Sequence, residues 1–159
     1  MKQDMESRAS NVFRQSSKRH KIAVIDGPNV SNLKHRSNNM YGPSMSAETL
    51  HEMVRQWSVA LEIDVEIFMS NYEGAILEFI HDASQRVDGI IINPAGLTAQ
   101  SIGVPHALHD TGLPVVEVHF ANVAASADRG GSVCLNSFER FAKWISASIM
   151  LPPSSVSAR

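Results

Sequence analysis

Residues 21–29 read KIAVIDGPN: a run with the character of a buried strand ends at a glycine and a proline, where the chain must turn. Three further apolar runs, residues 64–69, 89–93 and 113–119, repeat this pattern. Segments with apolar residues at helical spacing lie between the runs. Because parallel strands need crossover helices, the alternation predicts a single α/β domain with a doubly wound parallel sheet of about five strands.

The intervening helices are predicted from their caps and apolar faces. Ser46 is a candidate N-cap for a first helix. One face of that helix would carry Leu50, Met53, Val54, Trp57 and Leu61. Residues 70–73, SNYE, have the spacing of a capping box before a second helix. A third helix is predicted around residues 101–110.

The last part of the domain is predicted to hold one more strand and one more helix. Residues 132–135 are the candidate fifth strand, and Asn136 or Ser137 would cap a helix that turns Phe138, Phe141, Ala142, Ile145 and Ile149 inward. Residues 1–20 are polar, with five basic residues against two acidic ones, and are interpreted as a flexible extension. A transit peptide is the alternative for this head. Residues 151–159 are interpreted as a flexible tail, which leaves residues 21–150 as the domain.

The composition argues against several classes of function. The 159 residues include 14 Lys and Arg against 16 Asp and Glu, a net charge of −2, so a general nucleic-acid binder is not expected. No stretch approaches the roughly 20 apolar residues of a membrane span. The single cysteine cannot form an internal disulfide, and no His or Cys spacing indicates a metal site. A cytoplasmic protein without metal is therefore expected.

Ligands of doubly wound sheets bind at the carboxyl ends of the strands, so the turn after the first strand is the first candidate site. It lacks GxGxxG and contains Pro28, which argues against dinucleotide binding. A long βα loop over residues 27–42 is expected instead. Within it, Arg36 lies five residues from Tyr41, and a nearby guanidinium favours a deprotonated phenol that can act as a base. The alternative is a solvated basic loop anchored by Tyr41.

Two later strand ends carry polar residues. Asn93 begins a turn, NPAGLT, whose small residues allow backbone to approach a ligand, although a simple left-handed turn explains it equally well. Glu117 and His119 lie two residues apart at the end of the fourth strand and so share a face of the sheet. A carboxylate beside a histidine fixes its tautomer for proton transfer, while the alternative is a histidine with a purely structural role.

The order and spacing of these blocks resemble the type II 3-dehydroquinate dehydratases over residues 22–138. The matching blocks are GPNxxxL from Gly27, Arg36, Tyr41-Gly42, SNxEG from Ser70, INPxGxT ending at Thr98, and EVH from Glu117 followed by Asn122-Val123. The resemblance implies a flavodoxin-like fold, a dodecamer built from trimers, and neither metal nor cofactor. It also implies anti elimination of water from a 3-hydroxy ketone ring through an enolate, with a small hydroxy-carbonyl carboxylate as substrate.

The resemblance also implies roles for individual residues. Tyr41, activated by Arg36, would be the base that removes the proton next to the carbonyl, and Asn29 would hold a water that stabilises the enolate oxygen. His119, oriented by Glu117, would protonate the departing hydroxyl.

Substrate binding is implied for three further positions. Asn93 would help to position the substrate and the acid. Ala121 stands where the family has a serine that, together with backbone amides, holds the substrate carboxylate. Arg129 matches a substrate-binding arginine when one residue is deleted from its loop.

Several positions depart from the family pattern. Ala99 replaces a histidine that binds a ring hydroxyl, and Ser126 replaces an arginine. His106 stands where an acidic residue would reach the site of a neighbouring subunit, and Asp26 stands where asparagine is usual. Since unpaired substrate hydroxyls cost about 1–3 kcal/mol each, the sequence predicts reduced efficiency on dehydroquinate or an altered substrate. The alternatives are a non-catalytic relative that binds a small carboxylate or acts as a scaffold, and a flavin or nucleotide binder.

Overall fold

The structure is a computed structural model that describes residues 18–36, 45–120 and 144–148. In chain order its elements are β1 (Lys21–Asp26), a 3₁₀ helix (Val30–His35), α1 (Ala47–Ala60), β2 (Asp64–Met69), α2 (Glu73–Ala83), β3 (Gly89–Asn93), α3 (Leu97–Gln100), α4 (Gly103–Asp110), β4 (Val115–His119) and β5 (Trp144–Ser148). The head 1–17, the candidate strand 132–135 and the tail 151–159 lie outside the described residues.

All five strands are parallel and follow the order β2-β1-β3-β4-β5. This is the flavodoxin-like order, so the predicted fold class is confirmed. The direction of winding reverses between β1 and β3, where the carboxyl-terminal residues Asp26 and Asn93 are paired in register. Ligands of such sheets bind in the crevice at this switch point.

The sequence prediction for the end of the domain was wrong in one respect. Residues 144–148, placed by their apolar spacing in a last helix, form strand β5. They pair with β4 from Val115↔Trp144 to His119↔Ser148. Apolar spacing alone cannot separate short strands from helix segments, and here the open edge of β4 supplies a hydrogen-bonding partner that the local pattern does not reveal.

The predicted caps are correct for α1 and wrong for α2. Ser46 Oγ accepts a hydrogen bond from the backbone N–H of Thr49 at 3.2 Å, as an N-cap should. Ser70 Oγ instead accepts from the N–H of Tyr72 at 3.0 Å, and α2 begins at Glu73. Glu73 is therefore the first helical residue, and its Oε1 accepts from the hydroxyl of Ser101 at 2.6 Å. The capping box does not form because the helix starts two residues too late for it.

The turn after β1 is more ordered than its polar sequence suggests. Residues 30–35 form a 3₁₀ helix in which Val30 and Leu33 are buried. These two residues are three apart, so they share one face of a helix with three residues per turn. The expected long loop therefore begins with a helical segment that fixes Asn29 and Arg36 at its two ends.

The apolar core lies between the sheet and the pair of helices α2 and α4. Its largest fully buried side chains include Ile25 and Ile92 from the sheet, Ile76 and Ile80 from α2, and Leu108 from α4. Burying each such side chain contributes about 1.5–3 kcal/mol. Helix α1 contacts β2 and the 3₁₀ helix. Within the part of the chain that the structure describes, no helix is both long and apolar enough to cross a bilayer.

Candidate active site

The turns after β1 and β3 are locked together at the switch point. The backbone N–H of Gly27 donates to the carbonyl oxygen of Asn93 at 2.8 Å. A Cβ atom at Gly27 would lie 2.5 Å from the carbonyl oxygen of Pro94. Only glycine allows this approach, so the two strand ends keep a fixed spacing.

Asn29 lies just beyond this contact in the left-handed region, with φ 70°, a conformation that asparagine tolerates better than most residues. Its backbone N–H donates to Asn71 Oδ1 at 2.8 Å, and Asn71 Nδ2 donates to Ser31 Oγ at 3.2 Å. Asn71, in the turn after β2, thus holds the backbone of the candidate water-binding residue. Asn71 belongs to the SNxEG block of the family resemblance, which implied no role for it.

Arg36 caps the 3₁₀ helix with extended backbone, and its N–H donates to the carbonyl of Leu33 at 3.1 Å. Arg36 thus directly follows a short ordered segment that contacts α1. Tyr41, Ala121 and Arg129 lie outside the described residues, so their roles stay predictions.

Glu117 and His119 are brought together at the end of β4. Both residues are 4% exposed, and His119 Nε2 lies 2.5 Å from Glu117 Oε1. Nε2 is bonded to the carboxylate and no described residue bonds Nδ1, so Nδ1 is the imidazole nitrogen that can serve a ligand. A buried histidine oriented by a carboxylate at the carboxyl edge can deliver a proton to a bound substrate.

The register places Asn93 and the Glu117–His119 pair on opposite faces of the sheet at the same edge. Ile92 is paired with Glu117, so these two side chains share one face, and the next residue, Asn93, projects to the other. β3 and β4 are adjacent, and both strands end at this edge of the sheet. A ligand that contacts both must therefore lie over the strand ends rather than against either face.

A buried trio of side chains, the Asp26 trio, consists of Asp26, His51 and Asn93. His51 Nε2 on α1 lies 2.9 Å from Asp26 Oδ2, and Asn93 Nδ2 donates to Asp26 Oδ1 at 3.4 Å. Burial raises the pKa of the Asp26 carboxyl, and the contacts with His51 and Asn93 act against that shift. His51 was not predicted as a site residue, because the histidines were considered only as possible metal ligands. The signal in the sequence was Asp26, whose carboxyl needs a hydrogen-bond partner when it is buried.

Two of the departures from the family pattern lie on described helices. Ala99 is exposed on α3, the short helix that follows the turn after β3, and His106 is exposed on α4. Among residues 18–36 and 45–120, no group of three His, Cys, Asp or Glu side chains is arranged to hold a metal ion.

Ala95, in the turn after Asn93, has φ 52°, a left-handed conformation that is strained for alanine. Ala95→Gly is expected to raise the free energy of unfolding by about 0.5 kcal/mol. The variant relieves backbone strain in the folded state, and this gain exceeds the loss that comes from the larger conformational entropy of the unfolded chain. Chemical denaturation measures this. The control Ala75→Gly, inside helix α2, is expected to lower the same quantity by about 1 kcal/mol. Equal destabilisation by both variants would contradict the strain at Ala95.

Known sequences similar to this chain belong to the family whose motifs it resembles. The family described as Dehydroquinase class II matches residues 20–137. The 3-dehydroquinate dehydratase of Halothermothrix orenii is 44% identical over 109 residues, which cover 69% of this chain and 73% of that protein. The protein of the same name from Aliarcobacter butzleri is 41% identical over 103 residues, which cover 65% of this chain and 62% of that protein.

Solved structures give the same result for the fold. A type II dehydroquinase from Butyrivibrio crossotus superposes with a TM-score of 0.71 at 32% identity, covering 81% of this chain and 88% of the other. A type II dehydroquinase from Propionibacterium acnes has a TM-score of 0.71 at 25% identity, covering 84% and 90%. The similarity therefore extends over most of the chain.

Proposed function

The chain belongs to the class II dehydroquinase family, and we propose that it is a hydro-lyase that removes water from 3-dehydroquinate or a related 3-hydroxy carbonyl acid. The observation that carries the proposal is the buried Glu117–His119 pair at the carboxyl edge of a flavodoxin-like sheet. Relatives at 38–44% identity bear the name 3-dehydroquinate dehydratase.

The proposed reaction combines two proton transfers with the breaking of one carbon–oxygen bond. Tyr41, with Arg36 nearby, takes the proton from the carbon next to the carbonyl, and the electron pair moves into an enolate. A water held by Asn29 stabilises the enolate oxygen. The enolate collapses, the carbon–oxygen bond to the hydroxyl breaks, and His119 protonates the departing oxygen as Glu117 stabilises the imidazole. The products are water and a conjugated enone.

The ultraviolet absorbance of the enone provides the test. The purified protein is expected to convert 3-dehydroquinate with rising absorbance. Its kcat/KM is expected to be lower than that of relatives that keep the family residues at positions 99 and 121, which contact a ring hydroxyl and the carboxylate of the substrate. The second candidate is a non-catalytic relative, which is favoured by the exposed Ala99 in place of a substrate-binding histidine. Calorimetric titration with 3-dehydroquinate, alongside the assay, tests for binding without turnover. Binding without turnover, or neither binding nor turnover, would overturn the hydro-lyase proposal.

The altered recognition can be tested by restoring one contact. Ala99→His is expected to raise kcat/KM for 3-dehydroquinate about tenfold, because a hydrogen bond to a previously unpaired substrate hydroxyl contributes about 1–3 kcal/mol. The steady-state kinetics of the variant are compared with those of Gln100→His, the next residue of the same helix, which is expected to change kcat/KM less than twofold. An unchanged or lower value for Ala99→His would mean that this position does not limit recognition.

We also propose a homo-oligomer, a dodecamer of trimers by the family resemblance. Two large apolar side chains near the carboxyl edge, Tyr72 and Ile102, are 77% and 75% exposed in the single chain, which supports burial against another copy. Light scattering after size-exclusion chromatography is expected to give the mass of twelve chains; the mass of a monomer would refute the assembly.

A further inference from the structure

The chemistry of Asp26 dictates how the amide of Asn93 is turned. An ionised carboxylate offers only acceptor positions, so Asn93 has to face it with its Nδ2, as the 3.4 Å contact to Oδ1 shows. Nitrogen and oxygen lie on opposite sides of the amide group, and Oδ1 of Asn93 therefore points away from Asp26. Within the described part of the chain, no donor reaches that Oδ1, although Asn93 is only 5% exposed.

His51 keeps the carboxylate available for this contact. Its Nε2 lies 2.9 Å from the second oxygen of Asp26 and carries the hydrogen of this contact when Asp26 is ionised, because a carboxylate cannot donate. The side chains of His51 and Asp26 are 13% and 6% exposed, so little water competes for either. Among the described side chains, each oxygen of Asp26 thus has one partner, His51 on one side and Asn93 on the other.

An ionised carboxylate at this buried position lowers the stability of the fold. Burial raises the pKa of the Asp26 carboxyl above its ordinary value, so the stability of the fold decreases as the pH rises through that pKa and the group ionises. An asparagine would avoid this cost. It carries a donor as well as an acceptor, however, and would bond to Asn93 in either orientation of the amide. The carboxylate therefore specifies one orientation at the expense of stability.

We propose that Asp26, held by His51, is a positioning residue that presents Asn93 to the ligand as a hydrogen-bond acceptor and so selects a hydroxyl of the substrate at that point. The inference rests on the proposed function, which puts Asn93 beside the substrate. Asn93 is the last residue of β3 at the switch point, where the crevice of such a sheet takes its ligand. A ligand hydroxyl would donate to Asn93 Oδ1, which no donor from the described residues reaches.

Kinetics separate this role from a structural one. Asp26→Asn is expected to raise KM for the substrate about tenfold or more and to change kcat less than threefold, with no loss of thermal stability. His51→Gln, which keeps a donor, is expected to stay within threefold of the wild-type KM, and His51→Phe to follow Asp26→Asn. The exposed Asp64→Asn serves as the control with unchanged KM. A lowered melting temperature of Asp26→Asn with unchanged KM would show that the trio only fastens α1 to the sheet.

The orientation of Asn93 can also be observed without substrate. In protein labelled with ¹⁵N-asparagine, the side-chain signals of Asn93 are identified by their loss in Asn93→Asp. One Nδ2 proton is expected to shift downfield and to exchange at least tenfold more slowly in the wild type than in Asp26→Asn. Equal exchange in the two proteins would overturn the proposal, even if dehydroquinate is turned over. Absent turnover with a protected proton would instead overturn only the proposed function.

Discussion

Replacement of His119 by asparagine is expected to lower kcat of the dehydration about 10²–10⁴-fold, the effect of removing a positioned proton donor. The imidazole is 4% exposed and bonded to Glu117, so bulk water cannot take over its task from the same position. Asparagine keeps an N–H for the carboxylate but has no proton to transfer. KM is expected to change much less than kcat, because the lost interaction acts in the transition state.

Steady-state kinetics of His119→Asn, with circular dichroism to verify folding, measure this effect. The matched control is His81→Asn on the exposed surface of α2, which is expected to leave kcat unchanged. Asparagine at position 119 could leave the buried Glu117 carboxyl poorly bonded and so destabilise the fold. The double variant Glu117→Gln/His119→Asn, which pairs two neutral amides, is therefore measured as well. A kcat within threefold of the wild type in either folded variant would exclude His119 as the acid.

Strands were the part of the fold that the sequence predicted best. β1, β2 and β3 begin and end where their apolar runs do. The inner strands β1 and β3 have uninterrupted apolar centres, as parallel strands covered on both faces do, whereas the edge strand β2 also carries Asp64 and Glu66. β4 begins two residues later than its run: the carbonyl of Pro114 accepts from the N–H of Ile90, but a proline cannot donate to the ladder itself. β5 was missed because its pairing with β4 is not local in sequence.

Residues of the candidate site were predictable where their chemistry is local. Glu117 and His119 are two apart on one strand, so the alternation of a strand brings them together without any knowledge of the fold. Asp26 and His51 are 25 residues apart, and their contact depends on how α1 lies against the sheet. The left-handed turn at Ala95 was considered from its composition, yet only the structure shows that the alanine, rather than Gly96, adopts the positive φ.

Alanine at Gly27 is expected to lower the free energy of unfolding by about 2–4 kcal/mol, from overpacking against backbone and from a weakened hydrogen bond. The new Cβ would lie 2.5 Å from the carbonyl oxygen of Pro94 and 2.8 Å from its carbonyl carbon, whereas ordinary contacts begin near 3.4 Å. Neither atom belongs to a flexible side chain. The turns after β1 and β3 must therefore separate by roughly 1 Å, which stretches the 2.8 Å bond from Gly27 N–H to Asn93.

The same displacement is expected to impair activity, because Gly27 lies between Asp26 and the turn that carries Asn29. A shift of roughly 1 Å in a positioning element costs about 10²-fold in kcat/KM. Urea denaturation and the enone assay measure the two effects on the same protein. Gly74→Ala is the matched control: nothing lies within 4 Å of its added Cβ, and alanine within helix α2 is expected to stabilise the protein by about 0.5–1 kcal/mol with unchanged kinetics. If Gly27→Ala were as stable and as active as that control, the strand ends would not be held at the fixed spacing on which the candidate site depends.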